Sequence, residues 1–214
     1  VSTDPRPLVG VCDYGVGNLR SVERALQHGN AAVLVSADPG RLLQCAGLVL
    51  PGVGAFATAA AALREHGLDE AVLAFAASGR PMLGVCLGFQ LLFSESDEGD
   101  GGDGLGLIPG TVRRLDSRLV KVPHMGWNGL HLTRESALLE GIAEGEHAYF
   151  VHSYAVTPAD AGVVVATTDH GGEVVAAVEA GNVAGTQFHP EKSAAAGLRV
   201  YANFVTRCGA PVRA

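Results

Sequence analysis

Met82-Leu83-Gly84-Val85-Cys86-Leu87-Gly88-Phe89-Gln90 joins a short apolar run to a helix-like run, with a cysteine at the joint and a glycine two residues to either side. This is the nucleophile-elbow pattern with Cys in place of Ser. The flanking glycines let a sharp strand-to-helix turn push the side chain out over the edge of a sheet. A thiol there meets the positive end of the helix dipole, which favours the nucleophilic thiolate. The backbone N–H of Leu87 becomes free to bind an oxyanion. The competing reading is a buried cysteine whose glycines serve only tight packing.

Working outward from the elbow, the upstream chain alternates strands and helices. Leu8 to Cys12 is apolar and is followed by the turn segment Asp13-Tyr14-Gly15-Val16-Gly17-Asn18, after which Leu19, Val22, Ala25 and Leu26 recur at helical spacing. Ala32 to Val35 reads as a strand, with a short helix near Arg41. Gly47 to Leu50 is a strand running into Pro51-Gly52-Val53-Gly54, and helical segments cover about 55 to 77 with a break at Gly67. The elbow itself predicts a strand over Met82 to Val85 and a helix over Leu87 to Phe93. Continuous apolar strands alternating with helices imply an α/β fold, an open parallel sheet covered by helices on both faces.

Downstream, Glu98 to Gly110 is rich in Gly and Asp and reads as a loop. Short β-like runs follow at 111–115, 149–152, 163–167, 174–178 and 183–188. Lacking intervening helices, they predict an added antiparallel β region. A final helix places Leu198, Tyr201, Ala202 and Val205 on one face. No linker or repeat interrupts the 214 residues, which predicts one domain over 1–214.

Composition narrows the function. Hydrophobic residues make up 48% and charged ones 17%, enough apolar surface for a buried core, and the net charge of −7 disfavours nucleic acid and anionic membranes as partners. Val1 to Pro7 lacks a leader-like apolar stretch and no run is long enough to span a bilayer, so a cytoplasmic protein is expected. Cys12, Cys45, Cys86 and Cys208 form no CxxC pair. The acidic stretch Asp97 to Gly104 lacks the spacing of a calcium loop, and Gly15-Val16-Gly17 lacks the full dinucleotide fingerprint. No metal site is predicted.

A cysteine nucleophile needs a base, and His189 is the best placed of eight histidines. It follows the apolar run 183–188 and opens His189-Pro190-Glu191. The proline biases His189 toward extended geometry, so residues 189 and 191 project to one side and Glu191 accepts the proton of one imidazole nitrogen. His28, His66, His131, His147 and His170 sit at helix ends or in polar stretches and read as surface residues. Strand ends in an open parallel sheet gather along one edge, which brings Cys86 and His189 within reach of each other. The Gly52 to Gly54 loop, after another such strand, is the candidate for a second oxyanion donor.

These three elements together resemble the class I (triad) glutamine amidotransferases. Within that family Asp13 to Asn18, Pro123-His124-Met125-Gly126-Trp127-Asn128 and Tyr149-Phe150-Val151-His152-Ser153-Tyr154 are similar to the glutaminases of imidazole glycerol phosphate synthases. The resemblance implies a flavodoxin-like sheet and hydrolysis of L-glutamine through a thioester. It makes Cys86 the nucleophile, His189 the general base and acid, and Glu191 its orienter. Leu87 with Gly52, Val53 and Gly54 would hold the oxyanion, and Gln90, His152, Ser153 and Tyr154 the substrate. It further implies a heterodimer with a (β/α)8-barrel cyclase faced by Asn18, Met125, Trp127, Tyr149 and Lys192, and no cofactor or metal. The stretch carrying Trp127 reads as loop-like. Two rivals stay open: a glutaminase serving the synthesis of anthranilate or GMP, separable by the complex it forms, and a silent binding subunit, whose Cys86 would ignore a thiol-directed glutamine analogue.

Overall fold

The computed structural model describes residues 5–210; Val1–Asp4, part of the segment read above for a leader, lie outside the described residues. Strand β1 (Leu8–Cys12) is followed by α1 (Leu19–His28), β2 (Ala32–Ser36), α2 (Pro39–Leu42), β3 (Gly47–Leu50), α3 (Phe56–Glu65), α4 (Leu68–Ala77) and β4 (Met82–Val85). Next come α5 (Leu87–Gln90), β5 (Phe93–Ser96), β6 (Gly102–Asp103), β7 (Ile108–Arg114), β8 (His124–Gly129) and β9 (His131–Leu132). The last third holds β10 (His147–His152), β11 (Tyr154–Pro158), β12 (Val164–Asp169), β13 (Glu173–Ala180), β14 (Val183–Thr186) and α6 (Ala194–Gly209).

The central sheet has the order β2-β1-β3-β4-β14-β13-β12-β9. From β2 to β14 every pairing is parallel, and β13, β12 and β9 add on in antiparallel fashion. Because β2 and β3 flank β1 on opposite sides, the strand order reverses there. Open α/β sheets bind ligands beyond the carboxyl ends of their strands near such a point. Alternation along each strand sends Val49, Leu83 and Val85 into a core with α1 and α6, and Leu48, Leu50 and Met82 into a second core with α2, α3 and α4. Both faces of the sheet are therefore covered.

The elements differ from the sequence reading in four places. The helix expected over 87–93 is one turn, because Phe93 opens β5 in a separate four-stranded sheet of order β11-β7-β5-β6. The loop expected over 98–110 contains β6 and the start of β7. The run at 183–188 is not part of the antiparallel addition: β14 lies parallel to β4, with Thr186 opposite Val85. Trp127 sits on β8, paired with β10, where the glycine-containing sequence reads as a loop. Among the described residues no helix is long and apolar enough to cross a membrane.

Candidate active site

Cys86 follows β4 with φ 54° and ψ −109°, a conformation non-glycine residues seldom adopt and one that lifts the thiol off the strand. Its N–H still donates to Thr186 O at 2.8 Å, so the elbow stays tied to β14. The two glycines are steric necessities. A Cβ on Gly88 would collide with the Leu50 carbonyl, and one on Gly84 would stand 2.8 Å from Gly88 O and Phe89 Cα. Helix α5 then runs for only four residues, too short to give the thiol much of a dipole.

His189 extends beyond β14 beside Cys86. Its backbone is bolted in place: its N–H donates to Tyr149 O at 3.0 Å, and its carbonyl accepts from the Ser193 hydroxyl at 2.6 Å and from Lys192 N–H at 3.0 Å. Ser193, fully buried, also accepts from Tyr149 N–H at 2.9 Å. The ring contacts Glu191 Oε1 through Nδ1 at 2.8 Å, and Cys86 stands near enough to help raise its pKa. The Glu191 side chain is 3% exposed. The buried Tyr201 hydroxyl, 3.5 Å from Glu191 Oε2, keeps its proton well above the ordinary tyrosine range through burial and the nearby carboxylate. Burial alone would lower the His189 pKa; hydrogen bonds to Cys86 and Glu191 and their charges outweigh it and raise it to about 9. At neutral pH the imidazole is thus charged, the form that partners a thiolate and can give a proton to a leaving group.

These groups open onto a cavity of about 580 Å³ whose walls include Cys86, Leu87, His189, Gln90, Val53 and Gly54, with His152, Ser153 and Tyr154 opposite. Gln90 is buried rather than solvated. Its amide nitrogen donates to Tyr154 O at 2.9 Å and to Gln187 Oε1 at 3.0 Å. Ser153 O is taken by Leu115 N–H at 2.9 Å.

The loop after β3 is held by the Tyr14 hydroxyl, which donates to Pro51 O at 2.6 Å. Gly52 has no room for a side chain, since a Cβ would lie 2.6 Å from that hydroxyl and 2.8 Å from Gly88 N. The sequence suggested that this loop and Leu87 offer two converging donors. Instead Leu87 N–H donates to Gly52 O at 3.4 Å. In a trans peptide the N–H opposes the carbonyl, so Val53 N–H points away from Leu87.

Met125 and Trp127 are 62% and 51% exposed on β8. Trp127 lies opposite Tyr149 on β10, their rings 5.9 Å apart, and the exposed Lys192 ammonium is 5.7 Å from the Tyr149 ring. Tyr149 spends its N–H and C=O on Ser193 and His189, so it faces Trp127 as a non-hydrogen-bonded pair, where side chains approach most closely. Asn18 is exposed at the start of α1. These aromatic residues, Lys192 and His189 form one contiguous region.

Behind it, His152 Nδ1 donates to Tyr154 O at 2.8 Å, and its Nε2 lies 3.0 Å from Nδ1 of the buried His124. His124 Nε2 is 2.9 Å from Asn128 Oδ1, and His170 stacks on His124 at 4.0 Å instead of lying free on the surface. Burial pushes the His152 pKa down to about 3 and lowers that of His124. The other cysteines do not take part: burial raises Cys12 and Cys208 to about 12 and also raises Cys45.

The sequence reading passed over Gln187, Ser193, Glu98 and Arg114. Glu98 and Arg114 line the cavity, and Glu98 Oε2 accepts from Phe56 N–H at 2.8 Å. Gln187 had a detectable signal, being a polar residue inside an apolar run next to the base; the others depend on pairings between distant segments.

A cysteine elbow backed by a buried His–Glu pair on an open α/β sheet defines a class I glutamine amidotransferase. A profile of that family, described as "Glutamine amidotransferase class-I", matches residues 10–208, and the chain belongs to it. It is 49% identical to the imidazole glycerol phosphate synthase subunit HisH of Moorella thermoacetica, over 92% of this chain and 93% of that one. It is 52% identical to the protein of the same name from Methanothermobacter thermautotrophicus, over 92% and 98% of the two chains. A crystal structure titled as a glutamine amidotransferase superposes with a TM-score of 0.75 at 23% identity, covering 94% of this chain and 99% of the other, which shows the fold.

Proposed function

We propose that this chain is the glutaminase subunit of an imidazole glycerol phosphate synthase. It hydrolyses L-glutamine to glutamate and passes the ammonia to a (β/α)8-barrel cyclase partner, which makes imidazole glycerol phosphate and aminoimidazole carboxamide ribonucleotide in histidine biosynthesis. The observation that carries the chemistry is the line Cys86, His189, Glu191 at the cavity wall; the relatives named HisH support the pathway.

Cys86 sulfur attacks the carboxamide carbon, and the carbonyl π electrons move to oxygen. His189 gives its proton to the amide nitrogen, so ammonia leaves and a thioester remains. The neutral imidazole then takes a proton from water as the water oxygen attacks, and collapse of the second oxyanion releases glutamate and the thiolate. Glu191 holds the ring and balances its charge. Gln90 and the backbone of 152–154 bind the glutamine, and the ribbon of β8 and β10 receives the cyclase.

Oxyanion stabilisation requires Leu87 N–H, which Gly52 O occupies through a long and therefore weak bond. A turn of the Gly52–Val53 peptide frees Leu87 and brings in Val53 N–H. The free subunit is accordingly slow, and partner and ligand binding favour the turned loop. The test is glutamate release from glutamine by wild type and Cys86→Ala, alone and with the cyclase plus its nucleotide. Turnover that rises in the complex and vanishes in Cys86→Ala supports the reading. Equal turnover with and without the cyclase removes the coupling, and no turnover in any mixture points to another synthase or a silent subunit.

A further inference from the structure

The single turn of α5 gives an elbow thiol little of the dipole it is expected to draw on, which leaves the charge on sulfur to His189 and to whatever neutral donors stand beside it. Gln187 is fully buried, one residue past β14, and its Nε2 lies 3.9 Å from Cys86 Sγ. Its orientation follows from its neighbours. Tyr154 O is a pure acceptor, so the Gln90 atom facing it at 2.9 Å is the amide nitrogen, and that same nitrogen reaches Gln187 at 3.0 Å. The Gln187 atom receiving it is therefore oxygen, which leaves the Gln187 NH2 aimed at the sulfur.

We propose that Gln187 is a further catalytic residue of this glutaminase, donating an amide N–H to the Cys86 sulfur and holding it charged for attack; the assignment rests on the glutaminase reading and deepens it. The charged pair it serves forms when the thiol proton passes to the His189 nitrogen that does not face Glu191, the state in which the ring is charged at neutral pH. Both Gln187 protons stay where they are, and the donor then faces sulfur bearing the negative charge. Gln90 thereby acquires a second duty, since it fixes which way the Gln187 amide points. The charged His189 ring balances the sulfur through its proton, and Gln187 adds a neutral donor that no other neighbour among the described residues supplies. The Tyr14 hydroxyl is spent on Pro51 O and keeps its proton, because burial raises it far above the usual range. His189 is the proton acceptor, Glu191 stands behind it, and Lys192, Glu98 and Arg114 line the same cavity.

The test is the rate of Cys86 alkylation by iodoacetamide between pH 5 and 10, read by mass spectrometry of the Cys86 peptide, in wild type, Gln187→Glu and Gln187→Met. Glu keeps the shape and the oxygen that accepts from Gln90 but turns a donor toward sulfur into an acceptor. The expected result is a midpoint moved up by about one pH unit or more in Gln187→Glu, with alkylation at pH 7 slowed about tenfold. Gln187→Met, apolar and of similar size, slows it less and decides the matter if the carboxylate variant does not fold. Glutamine turnover should fall in kcat with KM nearly unchanged. Wild-type alkylation profiles in the folded variants overturn the proposal and leave Gln187 as packing. A shifted profile in a protein that releases no glutamate even with the cyclase and its nucleotide would keep the donor and sink the reading of this chain as the glutaminase of that synthase instead.

Discussion

At the residue scale the site depends on atoms that leave no room for substitution. Gly88→Ala places a methyl against the Leu50 carbonyl, so a loss of about 3 kcal/mol or more in unfolding free energy is expected from urea denaturation. Glu191→Gln keeps the size of the side chain but removes the charge that helps hold the His189 proton. Its predicted effects are a lower His189 pKa by NMR titration and a kcat reduced by roughly 10³–10⁴-fold, by analogy with neutralising the orienting carboxylate of a serine triad. A wild-type kcat in that variant would remove Glu191 from the mechanism. The histidine chain makes a separate demand. Carbonyl oxygens stand at both ends, so His152 Nδ1 and, through the Asn128 amide, His124 Nε2 must each carry a proton. In neutral rings that leaves two lone pairs facing across 3.0 Å. His152→Gln, which can donate at that point, is expected to preserve or raise the thermal midpoint, whereas a charged ring would make the same change destabilising.

At the element scale, four of the five strands of the parallel half carry a segment of the candidate site just past the carboxyl end: Tyr14 after β1, the Gly52 loop after β3, Cys86 after β4 and His189 after β14. The first three strands and the glycine turns that follow them were legible in the sequence because continuous apolar runs ending in such turns have a local cause, whereas the Tyr14 contact with Pro51 was not. The His189-Pro190-Glu191 pair was legible for another local reason, the extended bias that Pro190 sets on His189. The length of α5 was not, because Phe93 is pulled into a strand by Ile108, a partner fifteen positions away that no periodicity reports. Nor was the pairing of β8 with β10, which joins a glycine-containing segment to an aromatic one across an intervening turn and β9. That ribbon carries its own prediction. Trp127→Ala, removing a half-exposed indole beside Tyr149 and Lys192, should weaken cyclase binding by about 2 kcal/mol, or roughly thirtyfold in Kd by titration calorimetry. An unchanged Kd would move the interface elsewhere.

At the scale of the whole molecule, two histidine shifts bound the pH range of stability. His189 is raised to about 9 in the fold, so its contribution is complete below pH 6.5 and is lost as pH rises through 9. His152, lowered to about 3, acts in the opposite sense: the unfolded chain gains a proton below pH 6.5 that the fold refuses. Urea midpoints should therefore be highest near neutrality and fall on both sides, and His189→Gln should lose the alkaline decline. The position of β14 bears on how the molecule comes into being. Among the described residues it is the last strand in chain order, yet it lies in the middle of the sheet, between β4 and β13. Until it arrives, the apolar β4 is an open edge, and the elbow cysteine has no neighbouring base. A nascent chain thus carries its thiol for about a hundred residues before the imidazole that comes to lie beside it, while an unpaired strand invites contact with other chains. The insertion that closes this edge also sets the imidazole beside the sulfur, so under the proposed chemistry a half-made copy is sticky before it is reactive.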